Sequence, residues 1–309
     1  MYDTVNMFID CDGMDKSHLE TVLQQPKYKV DAATNEVSIT GKFGNYFVFA
    51  GDRGITLQGS LSKLYFDGEN QSTLTRATTK EALQLLEDNL HLPVSDAYIR
   101  RLDIGFNLPV KQNENAYYPF LGTAKYYQRL EQNNGIYYQN NQRQMLFYGK
   151  VNEQQQKKTA ILPIFTNANL LRYELRYLNR LTKQLNEAEI KAARLTDEDF
   201  YLQMLERWKD EYFTIYRHRL LSFKPEIMNS TKEFELQLMA LGLQALGGEG
   251  NALAIIEQAK KENVFENKMQ QKRLKDKIKS LCSKEICTMQ NDLITELDKK
   301  IKEAVKYYR

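Results

Sequence analysis

Across residues 99–108 the chain alternates without a break, with Leu102, Ile104 and Phe106 on one side and Arg101, Asp103, Gly105 and Asn107 on the other. A period of two belongs to a strand, and a strand with one apolar and one charged face belongs to an antiparallel sheet packed on one side only. The habit recurs twice. Residues 142–150 read as a strand that sets Tyr148 and Lys150 two residues apart on one face. Residues 171–177 set Arg172, Glu174 and Arg176 against Tyr173 and Tyr177, which the alternation assigns to the core. We expect these three strands to be neighbours in one sheet, with Tyr148, Asp103 and Glu174 meeting on its charged face.

The surrounding chain fits a sheet-rich first half. Val5, Met7 and Ile9 alternate with Asn6, Phe8 and Asp10, and residues 36–43, 46–50 and 54–59 are β-rich runs punctuated by Gly41, Gly44, Gly51 and Gly54, the rhythm of a meander. Gly13 breaks the first strand. Residues 15–25 carry helical spacing at Leu19, Val22 and Leu23, with Asp15 or Ser17 as cap and Pro26 as stop. Residues 78–90 predict an amphipathic helix capped by Thr79. Residues 135–138 and 142–150 form a hairpin through Asn140 and Asn141, and residues 153–158 read as a solvated linker.

Past residue 180 the strand signals stop. Asn186 with Glu189 and Thr196 with Asp199 look like helix starts, residues 200–221 form one long amphipathic helix, and residues 231–246, 252–279 and 284–308 are helical with an interruption at residues 247–250. The expected architecture is α+β: an antiparallel-sheet domain over residues 1–180 and an all-α domain over residues 181–309.

Composition narrows the setting. With 42% hydrophobic and 27% charged residues the chain has the balance of a folded globular protein. No apolar run is long enough for a membrane span and no secretory leader opens the chain, so a cytoplasmic protein without membrane contact is expected. Cys11, Cys282 and Cys287 are odd in number and lack paired spacing, which points away from a disulfide framework or a zinc site. A net charge of +3 says nothing by itself about nucleic acid, whereas 19 tyrosines supply phenols that stack on bases or act as nucleophiles.

One charged strand is ordinarily a surface ladder of ion pairs. Three together hold the parts of metal-dependent phosphoryl transfer: oxygen ligands for Mg²⁺ or Mn²⁺ in Asp103 and Glu174, an attacking hydroxyl in Tyr148, and a charge-stabilising ammonium in Lys150. A phenol with an ordinary pKa of about 10 needs activation for that role, and Tyr137 and Tyr138 are rival nucleophiles. Basic residues offered for DNA contact are Lys63, Arg76 and Lys80 in the first domain, Arg217 and Arg219 in the long helix, and the lysine-rich stretch over residues 260–279, for which a solvated amphipathic helix face is the equal alternative.

The succession Arg101-Leu102-Asp103-Ile104-Gly105, then Leu146-Phe147-Tyr148-Gly149-Lys150 with Glu153 five residues after the tyrosine, then Leu171-Arg172-Tyr173-Glu174-Leu175-Arg176, resembles the filamentous-phage gene II type replication initiators. It is more distantly similar to the rolling-circle initiators of staphylococcal-type plasmids. Residues 57–63 with Gly68 and Asn70 resemble an upstream segment of the family more weakly.

The resemblance implies a DNA-nicking fold of the HUH-endonuclease kind. The histidine pair of that superfamily is missing here, the histidines being His18, His91 and His218. It implies Tyr148 as the nicking nucleophile with Lys150 beside it, and Asp103, Glu174 and Glu153 as holders of Mg²⁺ or Mn²⁺. Arg101, Arg172 and Arg176 are expected to contact DNA from those strands. The implied function is rolling-circle initiation: origin-specific nicking and rejoining through a 5′-phosphotyrosine. The implied partners are a double-stranded origin, single-stranded DNA, and a host helicase and polymerase in a bacterial cytoplasm. A mobilisation relaxase and a non-catalytic DNA-binding regulator stay open as alternatives, and the C-terminal helices are read as serving DNA binding, homodimerisation or host-factor contact.

Overall fold

The computed structural model describes residues 1–10, 16–30, 32–33, 35–222, 224 and 229–309. Cys11, Gly13 and Asp15 lie outside them. Two compact units emerge, one of residues 1–114, 126–214 and 301–309, the other of residues 115–125 and 215–300.

The strands in chain order are β1 (Tyr2–Ile9), β2 (Gln24–Val30), β3 (Val37–Phe43), β4 (Tyr46–Gly51), β5 (Gly54–Ser60), β6 (Tyr98–Val110), β7 (Leu121–Ala124), β8 (Gln128–Gln132), β9 (Gly135–Gln139), β10 (Arg143–Gly149) and β11 (Asn169–Tyr177). Among the described residues, all of these except β7 form one antiparallel sheet in the order β2-β3-β4-β5-β1-β6-β11-β10-β9-β8. The three charged strands β6, β11 and β10 are therefore adjacent within it, as expected from the charge they share on one face, and the architecture is α+β with helices concentrated in the C-terminal part.

The first unit's helices are α1 (Leu19–Val22), α2 (Leu61–Tyr65), α3 (Arg76–Leu90), α4 (Lys150–Lys157), α5 (Leu181–Leu185) and α6 (Glu198–Phe213). One sheet face is apolar throughout: Val5, Met7, Val48, Leu57, Leu102, Ile104, Phe106, Met145, Phe147, Tyr173, Leu175 and Tyr177 are all buried. Helix α6 closes the centre of that face with Trp208, whose ring lies 4.7 Å from Phe106 and 4.8 Å from Tyr173, while Phe147 stacks on Tyr173 at 4.5 Å. The Trp208 indole N–H donates to the Tyr173 carbonyl at 3.3 Å, and the Tyr173 hydroxyl donates back to the Trp208 carbonyl at 3.2 Å, so neither buried polar group is left unpaired.

Several local expectations change. Among the described residues of 15–25 only Leu19–Val22 is helical, and Pro26 sits inside β2, the end strand of the sheet, where a missing N–H costs no ladder bond on the open side. The cap of α3 is Thr75, paired with Thr78 in a reciprocal capping box, and Thr79 is buried one turn in. The supposed linker 153–158 is helix α4, which begins at Lys150, so β10 ends at Gly149. Asn186 closes α5 in the left-handed conformation at φ 58° rather than starting a helix.

The change of composition near residue 180 is not where the compact units divide. Helix α6 belongs to the sheet unit because its aromatic stripe needs the sheet's apolar face, and the division falls between Thr214 and Ile215. The long helix expected over 200–221 ends at Phe213, followed by β12 (Ile215–Arg217), which pairs with β7, and β13 (Leu220–Leu221), which pairs with β14 (Thr288–Met289). Arg217 thus lies on a strand and Arg219 between two strands. The second unit also holds α7 (Thr231–Ala245), α8 (Gly248–Lys261) and α9 (Lys268–Cys282), packed around Ala240, Leu243, Ala252, Leu281, Cys282 and Cys287, and the first turns of α10 (Asp292–Tyr308). Gly247, at φ 87°, makes the left-handed break between α7 and α8.

Trp208 is the chain's single tryptophan and is fully buried between two aromatic strands. Trp208→Ala should lower unfolding free energy by about 3–5 kcal/mol, read as a shift in the urea midpoint by far-ultraviolet circular dichroism.

Candidate active site

Register brings the charged residues together. On the face away from Trp208, Arg176 of β11 stands opposite Asp103 of β6, Glu174 opposite Gly105, and Arg172 opposite Asn107 on one side and Tyr148 of β10 on the other. The Tyr148 hydroxyl donates to Glu174 Oε1 at 2.7 Å. Arg172 Nε donates to the same oxygen at 2.5 Å, and Arg176 Nη2 donates to Oε2 at 2.6 Å. Asp103 receives Arg101 through Nε at 2.9 Å and Nη2 at 2.7 Å, and lies 3.5 Å from Arg176. A Cβ at Gly105 would stand 2.9 Å from Arg172 Nη2 and 3.0 Å from Glu174 Cγ, so the glycine makes the room in which these side chains cross.

Arg172 is buried and fully engaged. Beyond Glu174 it donates to Asp3, to Asn107 Oδ1 at 3.1 Å and to the Asn70 carbonyl at 3.4 Å. Lys150, the first residue of α4, is also buried; its ammonium lies 5.9 Å from the centroid of the Tyr148 ring and 2.8 Å from Glu153 Oε2. Glu153 is shared with Lys157 at 2.5 Å. Tyr148, Lys150, Asp103, Glu174, Arg101, Arg172 and Arg176 are thus one contiguous set, with Glu153 at its edge.

Burial, and then the neighbouring Glu174 carboxylate, hold the Tyr148 phenol well above its ordinary pKa. Burial alone would raise Glu174 as well, but Arg172 and Arg176 outweigh it and keep that carboxyl well below the usual range. Burial pushes Asp103 up to about 6, only partly offset by Arg101, and pulls Lys150 down with help from Arg172. At rest the site pairs a neutral phenol with an ionised carboxylate.

Residues 1–211 match the family model for the N-terminal part of the gene II type replication-associated protein of phages, a span that contains every member of this set. The chain belongs to the gene II type phage replication initiators. Among curated proteins no match to it is found.

In this initiator the network includes residues that the alternation concealed. A strict period from Val5 would place Asp3 on the apolar face, but the register shifts between Tyr2 and Val5 and turns Asp3 to the charged side, where it accepts from Ser60 at 2.5 Å as well as from Arg172. Buried Glu114 accepts the Leu170 amide at 2.8 Å and lies beside Gly149, at the start of α4. No period or motif marks it in the sequence. Lys63 is half-buried on α2, outside the contacts of the set, and Arg217 and Arg219 belong to the second unit. His18 Nε2 lies 2.9 Å from the Leu90 carbonyl, and His91 ends α3 in the left-handed conformation, so both serve local structure.

The metal-binding set expected from the resemblance is not assembled as placed. Among the described residues no group of three or more histidine, cysteine, aspartate or glutamate side chains stands where it could hold a metal ion. Asp103 and Glu174 face guanidinium groups and Glu153 faces two ammonium groups, so the donor set does not fit a divalent cation in this arrangement.

Because the folded initiator holds the Asp103 proton more tightly than the unfolded chain, this group favours folding below about pH 4 and loses that contribution as pH rises through about 6. A rise of about two units corresponds to roughly 3 kcal/mol. Asp103→Asn should remove a loss of that order from the stability difference between pH 4 and pH 7, measured by urea denaturation at both values.

Proposed function

We propose that this initiator nicks one strand of a replication origin through Tyr148 and later rejoins it. The observation that carries the reading is the 2.7 Å hydrogen bond from the Tyr148 hydroxyl to Glu174 inside a cage of Arg172, Arg176 and Lys150, within a chain of a phage replication family. The phenolic oxygen attacks phosphorus, the bond to the 3′-oxygen breaks, and a 5′-phosphotyrosine forms. The phenol proton passes through Glu174 to the departing 3′-oxygen, which leaves as a free 3′-hydroxyl for a polymerase. Rejoining is the same step reversed.

The resting charges set the order of events. Glu174 is a poor base while Arg172 and Arg176 hold it. A scissile phosphate brings its own negative charge to those guanidinium groups, draws their N–H donors from Glu174, and so raises its proton affinity at the moment the phenol must be deprotonated. Arg172 and Lys150 then face the charge that develops on the phosphoryl oxygens. The substrate that is attacked primes the base that activates the nucleophile.

The origin duplex must open before its strand reaches a sheet face, at a cost of a few kcal/mol that negative supercoiling offsets. We assign nicking to the sheet unit, and origin contact, dimerisation or binding of a host helicase to the second unit, in the bacterial cytoplasm. The dependence on Mg²⁺ or Mn²⁺ that the resemblance implies is part of the proposal, with no step derived through it.

With a supercoiled plasmid carrying the cognate origin, wild-type protein should give relaxed circles bearing covalent protein, and Tyr148→Phe none. Glu174→Gln should slow adduct formation by about 10²–10⁴-fold while leaving duplex binding intact. Adduct formed equally by Tyr148→Phe would remove Tyr148 from the reaction. Parallel reactions with Mg²⁺, Mn²⁺ and EDTA test the metal requirement, and full activity in EDTA would end it.

A further inference from the structure

The charged face of the sheet does not end at the reaction centre. It continues across β1, β5, β4, β3 and β2, where the register aligns two cross-strand rows: Phe8, Thr56, Phe49, Thr40 and Lys27 in one, Asn6, Gln58, Phe47, Lys42 and Gln24 in the other. Their neighbours in sequence, Val5, Met7, Ile55, Leu57, Val48 and Ala50, fill the buried face, so the strand period forces these rows outward.

Two large rings stand open there. Phe47 is 43% exposed and Phe49 41%, side by side on β4. Phe8 is half-buried over Gly54, with the Arg100 guanidinium 5.0 Å from its ring centroid. Lys27 ends one row and Lys42 stands one strand in from the end of the other, both exposed, and neither row contains a carboxylate. Asn6 stands opposite Arg101, which pairs with Asp103, so the rows run without interruption into the candidate active site.

We propose that this face is a stacking platform for single-stranded DNA, with bases lying on Phe47 and Phe49 and the sugar-phosphate backbone held by Lys27, Lys42 and Arg100. The chemistry selects that occupant. A protein partner would need a continuous apolar patch, whereas here the rings are separated by threonine, glutamine and lysine. Isolated aromatic faces set among the lysine, threonine, asparagine and glutamine side chains of these rows match what an unpaired strand offers, a π-face on every base and a charge on every phosphate. A duplex has its base faces already stacked and gains nothing from the rings. The proposal deepens the nicking reading, on which it rests for the identity of the strand, and gives the opened strand a place to lie beside Tyr148.

The test uses the full chain carrying Tyr148→Phe, so that only non-covalent binding is measured. Fluorescence anisotropy is recorded with a labelled single strand of about 20 nucleotides and with the same sequence as duplex. Phe47→Ala and Phe49→Ala should each weaken single-strand binding about 10-fold, with duplex affinity changed less than about 2-fold. Phe47→Leu, which keeps apolar bulk and loses the ring, should weaken it similarly, and Phe47→Trp should restore it. Lys42→Gln should lower the salt dependence of single-strand binding by about one phosphate contact. Unchanged single-strand affinity in the Phe47→Ala/Phe49→Ala double variant overturns the proposal, as does an equal loss for duplex. Because the readout contains no cleavage, it stands apart from the adduct assay that decides the role of Tyr148.

Discussion

A guanidinium group buried at the centre of a sheet is the constraint around which the rest of the first unit is arranged. Arg172 cannot shed its proton, and each of its N–H groups must find an acceptor where water does not reach. Asp3, Glu174, Asn107 and the Asn70 carbonyl supply those acceptors from β1, β11, β6 and the connection after α2. Removing Asp3 or Glu174 would leave the buried guanidinium short of a counter-charge, and losing a neutral acceptor would leave a buried N–H unpaired. The register of these neighbouring strands is thereby tied to one side chain as firmly as to the ladder bonds between them.

The opposite face does the cohesive work. Phe106, Phe147, Tyr173 and Trp208 interlock there at centroid distances of 4.5–4.8 Å, so the backbone that carries the charged side chains is held from behind. The two faces divide labour along the same strands: Tyr173 anchors while Arg172 and Glu174 on either side of it engage the site. A slip of one residue in β11 would exchange the two sets entirely, which makes the register unusually costly to lose.

That division is why the centre of the fold was readable from the sequence. The one-sided charge shared by three segments led to the expectation of β6, β10 and β11 as neighbours with Tyr148, Glu174 and Asp103 on one face, and the order of the motifs then pointed to the initiator family. What escaped were features that break a period. Asp3 faces the site through a register shift, Lys150 reaches Tyr148 from the first turn of a helix rather than along a strand, and Pro26 is tolerated because β2 is an edge. The unit boundary escaped for another reason: composition reports what an element is, whereas Trp208 decides what it packs against, and α6 packs on the sheet. Arg217 looked helical because a three-residue strand is too short to declare a period.

The proposed reaction also explains why a nucleophile would be kept so far from its reactive form. A phenolate exposed on a sheet face would be a standing hazard to any phosphodiester or electrophile that reached it. Here burial and Glu174 both favour the neutral phenol, and the arginines that could help ionise it are spent on carboxylates. Activation therefore requires a competitor for those arginines that carries negative charge in a shape able to accept their forked N–H groups, which is the description of a phosphate. On this reading, selectivity and activation are one event: the ion pairs that silence Tyr148 are the contacts that a correctly placed strand must take over.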